Sequence, residues 1–133
     1  MVQDARFDIA LEQFAKALSR LHEVLPMPET TIVRDALIQR FEFTFEAGWR
    51  AAYHWLRARG ADVSQEAFAV LPRAFRNGLL TAEDDWNELR RMRNLTSHTY
   101  REQLAIEVAA FVRGTGVRCF DDLLATLKAR AAE

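Results

Sequence analysis

The sequence predicts an all-α protein, an antiparallel up-and-down four-helix bundle with one extra short helix, and three observations carry that prediction. Apolar residues recur at steps of three and four along every long stretch, the spacing that lines one face of a helix. Proline and glycine stand between those stretches, at Pro26, Pro28, Gly60, Gly78 and Gly114. No credible strand, repeat or low-complexity tract interrupts the pattern. At 133 residues the chain reads as one domain over residues 1–133, long enough to bury a core.

The first helix is expected over residues 3–25, where Phe7, Leu11, Phe14, Leu18, Leu21 and Leu25 form one apolar stripe that Pro26-Met27-Pro28 stops. His22 lies beside that stripe and reads as structural or exposed. A second helix is expected from Thr31 to Arg59, ~43 Å at 1.5 Å per residue, ending at Gly60. Its stripe runs through Ile38, Phe41, Phe45, Gly48, Ala52 and Leu56. Phe43, Ala47, Trp49 and Trp55 lie off it, so the helix is either central to the bundle or shared with a partner subunit. Asp35, Gln39, Glu42, Glu46 and Tyr53 make a polar line on the same helix. That line is either a solvated face or one on which Glu42 and Glu46 meet an arginine, since half-buried carboxylates need partners.

A loop over residues 60–65 leads to a short helix ending near Arg76, with Pro72 complicating its start or continuity. After Asn77-Gly78, Thr81 is placed to cap a helix whose first turn carries Glu83 and Asp84. Ala82, Trp86, Leu89 and Thr96 mark its buried side, with Met92 nearby. Arg90, Arg93, Asn94 and Ser97 fall on another line. Leu104, Val108 and Phe111 or Val112 define a fourth long helix. Gly114-Thr115-Gly116 is expected to interrupt it before a terminal helix bearing Phe120, Leu123, Leu124 and Leu127.

The chemistry concentrates at the junction Arg93-Asn94-Leu95-Thr96-Ser97-His98-Thr99-Tyr100. Thr99 and Glu102 have capping-box spacing, which predicts that one helix ends near Ser97 and another begins at Thr99. His98 is then free to turn back toward Arg93, and Tyr100 falls in a first helical turn, where unpaired N–H groups attract anions. Arginine, imidazole, phenol and helix N-terminus together suit a phosphate. The plainer alternative is an ion pair from Arg93 to Glu42 or Glu46, with His98 capping or packing.

Composition removes several classes. With 18 basic and 19 acidic side chains, a net charge of −1 argues against a general nucleic-acid coat, although Arg90, Arg91, Arg93 and Arg101 supply a local basic patch. The single cysteine, Cys119, cannot form an internal disulfide and fits a reducing cytoplasm as a semi-buried small hydrophobe. No apolar run approaches the ~20 residues of a membrane span, and the N-terminus does not read as a signal peptide. His22, His54 and His98 lack metal-ligand spacing, so no metal or cofactor is expected. There is no Walker loop, no dinucleotide fingerprint, and neither the Gly-Ser pair nor the Asp-x-Asp of a nucleotidyltransferase.

Arginine, four residues, histidine, one residue and tyrosine, late in a helical domain, resembles the HEPN family. Its HepT-like branch, also described as nucleotidyltransferase substrate-binding proteins, is the nearest. The block from Ile38 to Trp49 and the block from Ala74 to Leu80 resemble that branch too, in the right order, so the resemblance covers roughly residues 30–105. Gly48 departs from the pattern, where a larger residue is more usual, and is expected to loosen local packing.

The resemblance implies a homodimer that sets two motifs across one cleft, and a small MNT-type nucleotidyltransferase as partner. It also implies metal-independent ribonuclease chemistry by Arg93 and His98, with RNA as ligand. Asn94, Ser97, Arg90, Glu42 and Glu46 would support substrate or motif. In toxin–antitoxin pairs of this branch the partner transfers AMP to the motif tyrosine, here Tyr100, which would silence the enzyme. The other reading of the branch is a non-catalytic subunit that binds the nucleotide or substrate of its partner enzyme. Both readings use the same cleft.

Overall fold

In the computed structural model, which describes residues 4–133, the first helix starts where Asp4 caps it. The Asp4 carboxylate accepts the N–H of Arg6 at 2.8 Å and of Phe7 at 3.4 Å, two of the donors a helix start leaves unpaired. This helix, α1, spans Ala5–Val24 and buries Phe7, Phe14, Leu18 and Leu21 as their spacing predicts, together with Ala10 and Val24. Leu11 and Leu25, at the stripe's edge, are half-buried against the core.

The longest single element, α2, spans Thr31–Ala58. Thr30 opens it by accepting the Val33 N–H at 3.1 Å, and Gly60 closes it at φ +86°, a left-handed conformation that glycine adopts without strain. α2 is central. It packs most extensively on α1 and also meets every later helix, so Trp49 and Trp55, at 6% and 5% exposed, are covered within one chain. Of the two alternatives for this helix, central to the bundle or shared with a partner subunit, both tryptophans follow the first. Phe43 is half-buried, with the Arg20 guanidinium 5.4 Å from its ring centre.

Gly48 also departs from expectation. A Cβ there would lie 3.1 Å from the Phe14 ring, and Phe14 is fully buried. The glycine tightens the α1–α2 crossing; it does not loosen it.

α3 spans Ala67–Arg76 and carries Pro72 in its interior. Gly78, at φ +77°, turns the chain after it. α4 spans Glu83–Leu95, and its first turn holds Glu83, Asp84 and Asp85 against the positive end of the helix. The cap itself differs from the sequence reading: Ala82, not Thr81, occupies the cap position, and no side chain bonds there.

α5 spans Glu102–Phe111 and α6 spans Val117–Ala131. Gly114-Thr115-Gly116 does not interrupt them as expected. Residues Val112–Gly116 form one π turn, in which the Val117 N–H donates to the Val112 carbonyl, and α5 runs through it into α6. The four long rods are thus α1, α2, α4 and α5–α6, with α3 as the extra short helix, and no strand occurs among the described residues.

Phe120 sits where the rods converge. Its ring lies 6.4 Å from Phe14, 5.9 Å from Phe41 and 6.0 Å from Trp86, one contact each from α1, α2 and α4. Polar ties close the outside. His22 on α1 bonds Asp121 on α6 at 2.6 Å. Arg113 of the π turn donates to the Leu25 carbonyl at 2.7 Å and to Glu29 at 3.0 Å, while Arg34 reaches Glu29 at 3.1 Å. Among the described residues no helix is long and apolar enough to cross a membrane.

Candidate functional site

The last turn of α4 lies over the middle of α2, and this crossing brings Arg93 to the polar line read from the sequence. Arg93 Nη1 is 3.4 Å from Glu42 Oε2, and Nε is 3.5 Å from Glu46 Oε1. Both expected carboxylates are present. Neither contact is a well-formed hydrogen bond, and Nε is buried without a hydrogen-bond partner. Glu46 is held from its other oxygen, which accepts the Trp49 indole N–H at 3.0 Å.

Thr96 stands at the centre of the arrangement, a residue the sequence assigned only to the buried side. Its hydroxyl accepts from Arg93 Nη1 at 3.0 Å and lies 2.9 Å from Glu42 Oε2 and 2.7 Å from the Arg93 carbonyl. A hydroxyl has one proton, so it donates to one of these oxygens at a time. Thr96 is 6% exposed, one of two buried polar side chains among the described residues. The signal for it was in the sequence. Threonine at a core position must satisfy its hydroxyl, and Arg93 stands one turn earlier on the same helix.

Arg93 Nη2 makes no hydrogen bond among the described residues and is not among the buried unpaired atoms. Two of the three guanidinium nitrogens, Nη1 and Nε, thus face Thr96, Glu42 and Glu46.

The junction itself departs from the expected capping box. α4 ends at Leu95 and passes into a 3-10 turn, Thr96–His98. The Thr99 hydroxyl donates back to the Thr96 carbonyl at 3.0 Å and caps nothing, while Arg101 holds the cap position of α5. Thr99 satisfies its hydroxyl locally, which competes directly with capping. Tyr100 consequently lies in the turn before α5, next to the cap residue Arg101, and not in its first turn. The residue is 78% exposed.

His98 is exposed and does not turn back onto Arg93. Its ring meets the Tyr100 ring edge-on, with centres 6.2 Å apart and planes at 73°. Ser97 donates to the Asn94 carbonyl at 3.3 Å, and no contact joins the Asn94 side chain to His98. Arg90 is exposed and lines a shallow groove against α3 with Leu71, Pro72 and Phe75, away from Glu42 and Glu46. The basic patch is smaller than the sequence suggested. Arg91 is paired with Glu88 and Arg93 with two carboxylates, which leaves Arg90 and Arg101.

Two larger grooves lie elsewhere. One of about 390 Å³ runs between the start of α4 and α6, past Trp86, Arg118 and Cys119. Another of about 280 Å³ is lined by Asp4, Arg6, Tyr53, His54, Arg57 and Gln65. Neither includes Arg93, His98 or Tyr100; His98 and Tyr100 are exposed and Arg93 is half-buried. No group of three or more His, Cys, Asp or Glu side chains among the described residues is placed to hold a metal ion.

Comparison with known proteins bears on the chain as a whole. A family model described as nucleotidyltransferase substrate binding protein like matches residues 9–129. A Haemophilus influenzae protein named probable ribonuclease HepT is 34% identical over 117 residues, covering 82% of this chain and 78% of that protein. A solved structure from Haemophilus influenzae, described as revealing the fold of a substrate binding domain of a nucleotidyltransferase, superposes with a TM-score of 0.65. It is 26% identical, with 92% of this chain and 96% of that one covered. The two descriptions differ on function, one naming a ribonuclease and the other a binding domain.

Proposed function

The chain belongs to the nucleotidyltransferase substrate-binding protein-like family, the HepT-like proteins, and from that membership we propose that it is an RNA-cleaving subunit working as a homodimer. The observation that carries this reading is the state of Arg93. The protein engages its guanidinium on Nε and Nη1 and leaves Nη2 without a hydrogen bond, on the last turn of α4 just before the segment that carries exposed His98 and Tyr100. An arginine oriented in this way is pre-organised for a phosphate oxygen.

The reaction needs no metal. One His98 takes the proton of an RNA 2′-hydroxyl, whose oxygen attacks the adjacent phosphorus. The bond to the 5′-oxygen breaks, and that oxygen takes a proton from a second, protonated imidazole, leaving a 2′,3′-cyclic phosphate. Arg93 stabilises the charge on the phosphorane. A single chain supplies one exposed motif histidine, and a two-fold dimer would supply two facing one another across a cleft.

Regulation follows from Tyr100. Its exposed phenol is accessible to a partner nucleotidyltransferase, which would transfer AMP from ATP to the phenolic oxygen and release pyrophosphate. The added phosphate would compete for Arg93 and cover His98. In this reading the chain is the toxin of a pair and the partner its antidote.

A second reading has its own observation. Glu42 and Glu46 set two negative charges against the one positive charge of Arg93, a balance that weakens attraction for RNA. It suits a subunit that binds a nucleotide or other substrate for its partner and cleaves nothing. The deciding experiment induces the chain alone, beside Arg93→Ala and His98→Ala, and follows growth and RNA integrity together. Ribonuclease activity predicts arrest and fragmented RNA for the native chain and neither for the variants. Normal growth with intact RNA from well-folded native protein moves the assignment to the binding subunit.

A further inference from the structure

We propose that Thr96 is the positioning residue of this site: its hydroxyl sets which edge of the Arg93 guanidinium faces the ligand. The inference rests on the proposed role of Arg93 and goes beyond it to a residue outside the arginine–histidine–tyrosine pattern.

A threonine in the last turn of a helix commonly donates to the carbonyl three or four residues back, and the 2.7 Å contact to the Arg93 carbonyl is that ordinary bond. Two further contacts on the same oxygen are not ordinary. Nη1 of Arg93 donates to it at 3.0 Å, and Glu42 on a different helix lies 2.9 Å from it. The oxygen therefore joins the side chain of Arg93, the backbone of α4 and a carboxylate of α2, on a residue that is itself 6% exposed.

Without that oxygen the carboxylates would draw the guanidinium further in. The Arg93–Glu42 and Arg93–Glu46 separations, 3.4 and 3.5 Å, are longer than a charge-assisted hydrogen bond of about 2.7–2.9 Å. Accepting from Nη1, the hydroxyl holds Arg93 short of full pairing with Glu42. Held there, Arg93 keeps Nη2 outward. Removing the hydroxyl lets the ion pairs close and turns Nη2 away from the ligand, while the methyl group that fills the core is unaffected in a valine.

The test uses the full chain with Thr96→Val and Thr96→Ser. Two readouts are taken: the Nε–Hε resonance of Arg93 by NMR, assigned by its loss in Arg93→Ala, and cleavage of a single-stranded RNA with kcat and KM separated. Thr96→Val is expected to stay folded, shift the Arg93 resonance and lower kcat/KM by about tenfold or more, the scale of one charge-assisted hydrogen bond. Thr96→Ser is expected to restore both. Should valine not fold, Thr96→Ala against Thr96→Ser gives the same contrast. An Arg93 resonance unmoved by loss of the hydroxyl overturns the proposal, as does a folded serine variant as impaired as valine. If the native chain cuts no RNA while His98→Ala is equally silent, the ribonuclease reading fails separately, and the Arg93 resonance still decides the role of Thr96.

Discussion

Glu29 illustrates how single side chains are tuned by what packs on them. Burial alone would raise its pKa, but hydrogen bonds from Arg113 and Arg34 outweigh that and leave it below the ordinary 4.5. A carboxyl lowered in the folded state contributes stability above its unfolded value. That contribution fades as the pH falls from about 4.5 through the lower folded value. Glu29→Gln should therefore be less stable than the native chain at pH 7, with the gap narrowing below pH 4.5 in urea titrations. A gap independent of pH would mean the loss is one of packing. Cys119 shifts the other way. Burial, with Asp85 beside it, pushes its thiol up to about 11 from 9.0. At pH 8 its thiolate fraction is then about a hundredfold below that of an unfolded thiol, and alkylation by iodoacetamide should be slower by at least that factor. Reaction at the unfolded rate would place the thiol outside the core.

At the level of elements, the α1–α2 crossing depends on one missing side chain. Gly48→Ala would gain about 1 kcal/mol of helix propensity on an exposed surface. Here its Cβ meets the Phe14 ring at 3.1 Å inside the core, where overpacking costs about 1–3 kcal/mol. We expect a net loss of about 1 kcal/mol and a lowered midpoint in thermal unfolding; a rise would show that Phe14 shifts freely. The turn joining α4 to α5 answers to a different constraint. Each of its hydroxyls, from Thr96, Ser97 and Thr99, donates to a nearby carbonyl or carboxylate. The bonds hold the 3-10 turn closed and leave His98 and Tyr100 projecting into solvent.

For the whole molecule, the proposed chemistry needs two chains. Sedimentation equilibrium should give twice the mass of one chain, and a monomer would remove the second His98 from the reaction. The stronger check is dominance. Excess His98→Ala, co-expressed with the native chain, should draw most native chains into heterodimers with one imidazole. Each heterodimer should be about a hundredfold or more slower than a native dimer, the scale of a lost acid or base, so that cleavage falls to what the remaining native dimers supply. Cleavage that stays unchanged per native chain would mean that each chain acts alone.

The sequence by itself determined the bundle. Three- and four-residue apolar spacing selects helices, and Pro26, Gly60 and Gly78 end them, because helical periodicity and backbone restriction are local properties of the chain. It also marked Glu42, Glu46 and Arg93 as potential partners, since two carboxylates on a half-apolar helix require a counter-charge. What it misjudged were competitions between near-equal local options. Thr99 bonds backward in place of capping forward, and Gly114-Thr115-Gly116 winds into a π turn in place of a break. The tertiary structure alone decided that Trp49 and Trp55 are covered within one chain and that Thr96 lies between Arg93 and Glu42. Those outcomes depend on how α4 crosses α2, residues more than fifty apart, and no local spacing encodes a crossing.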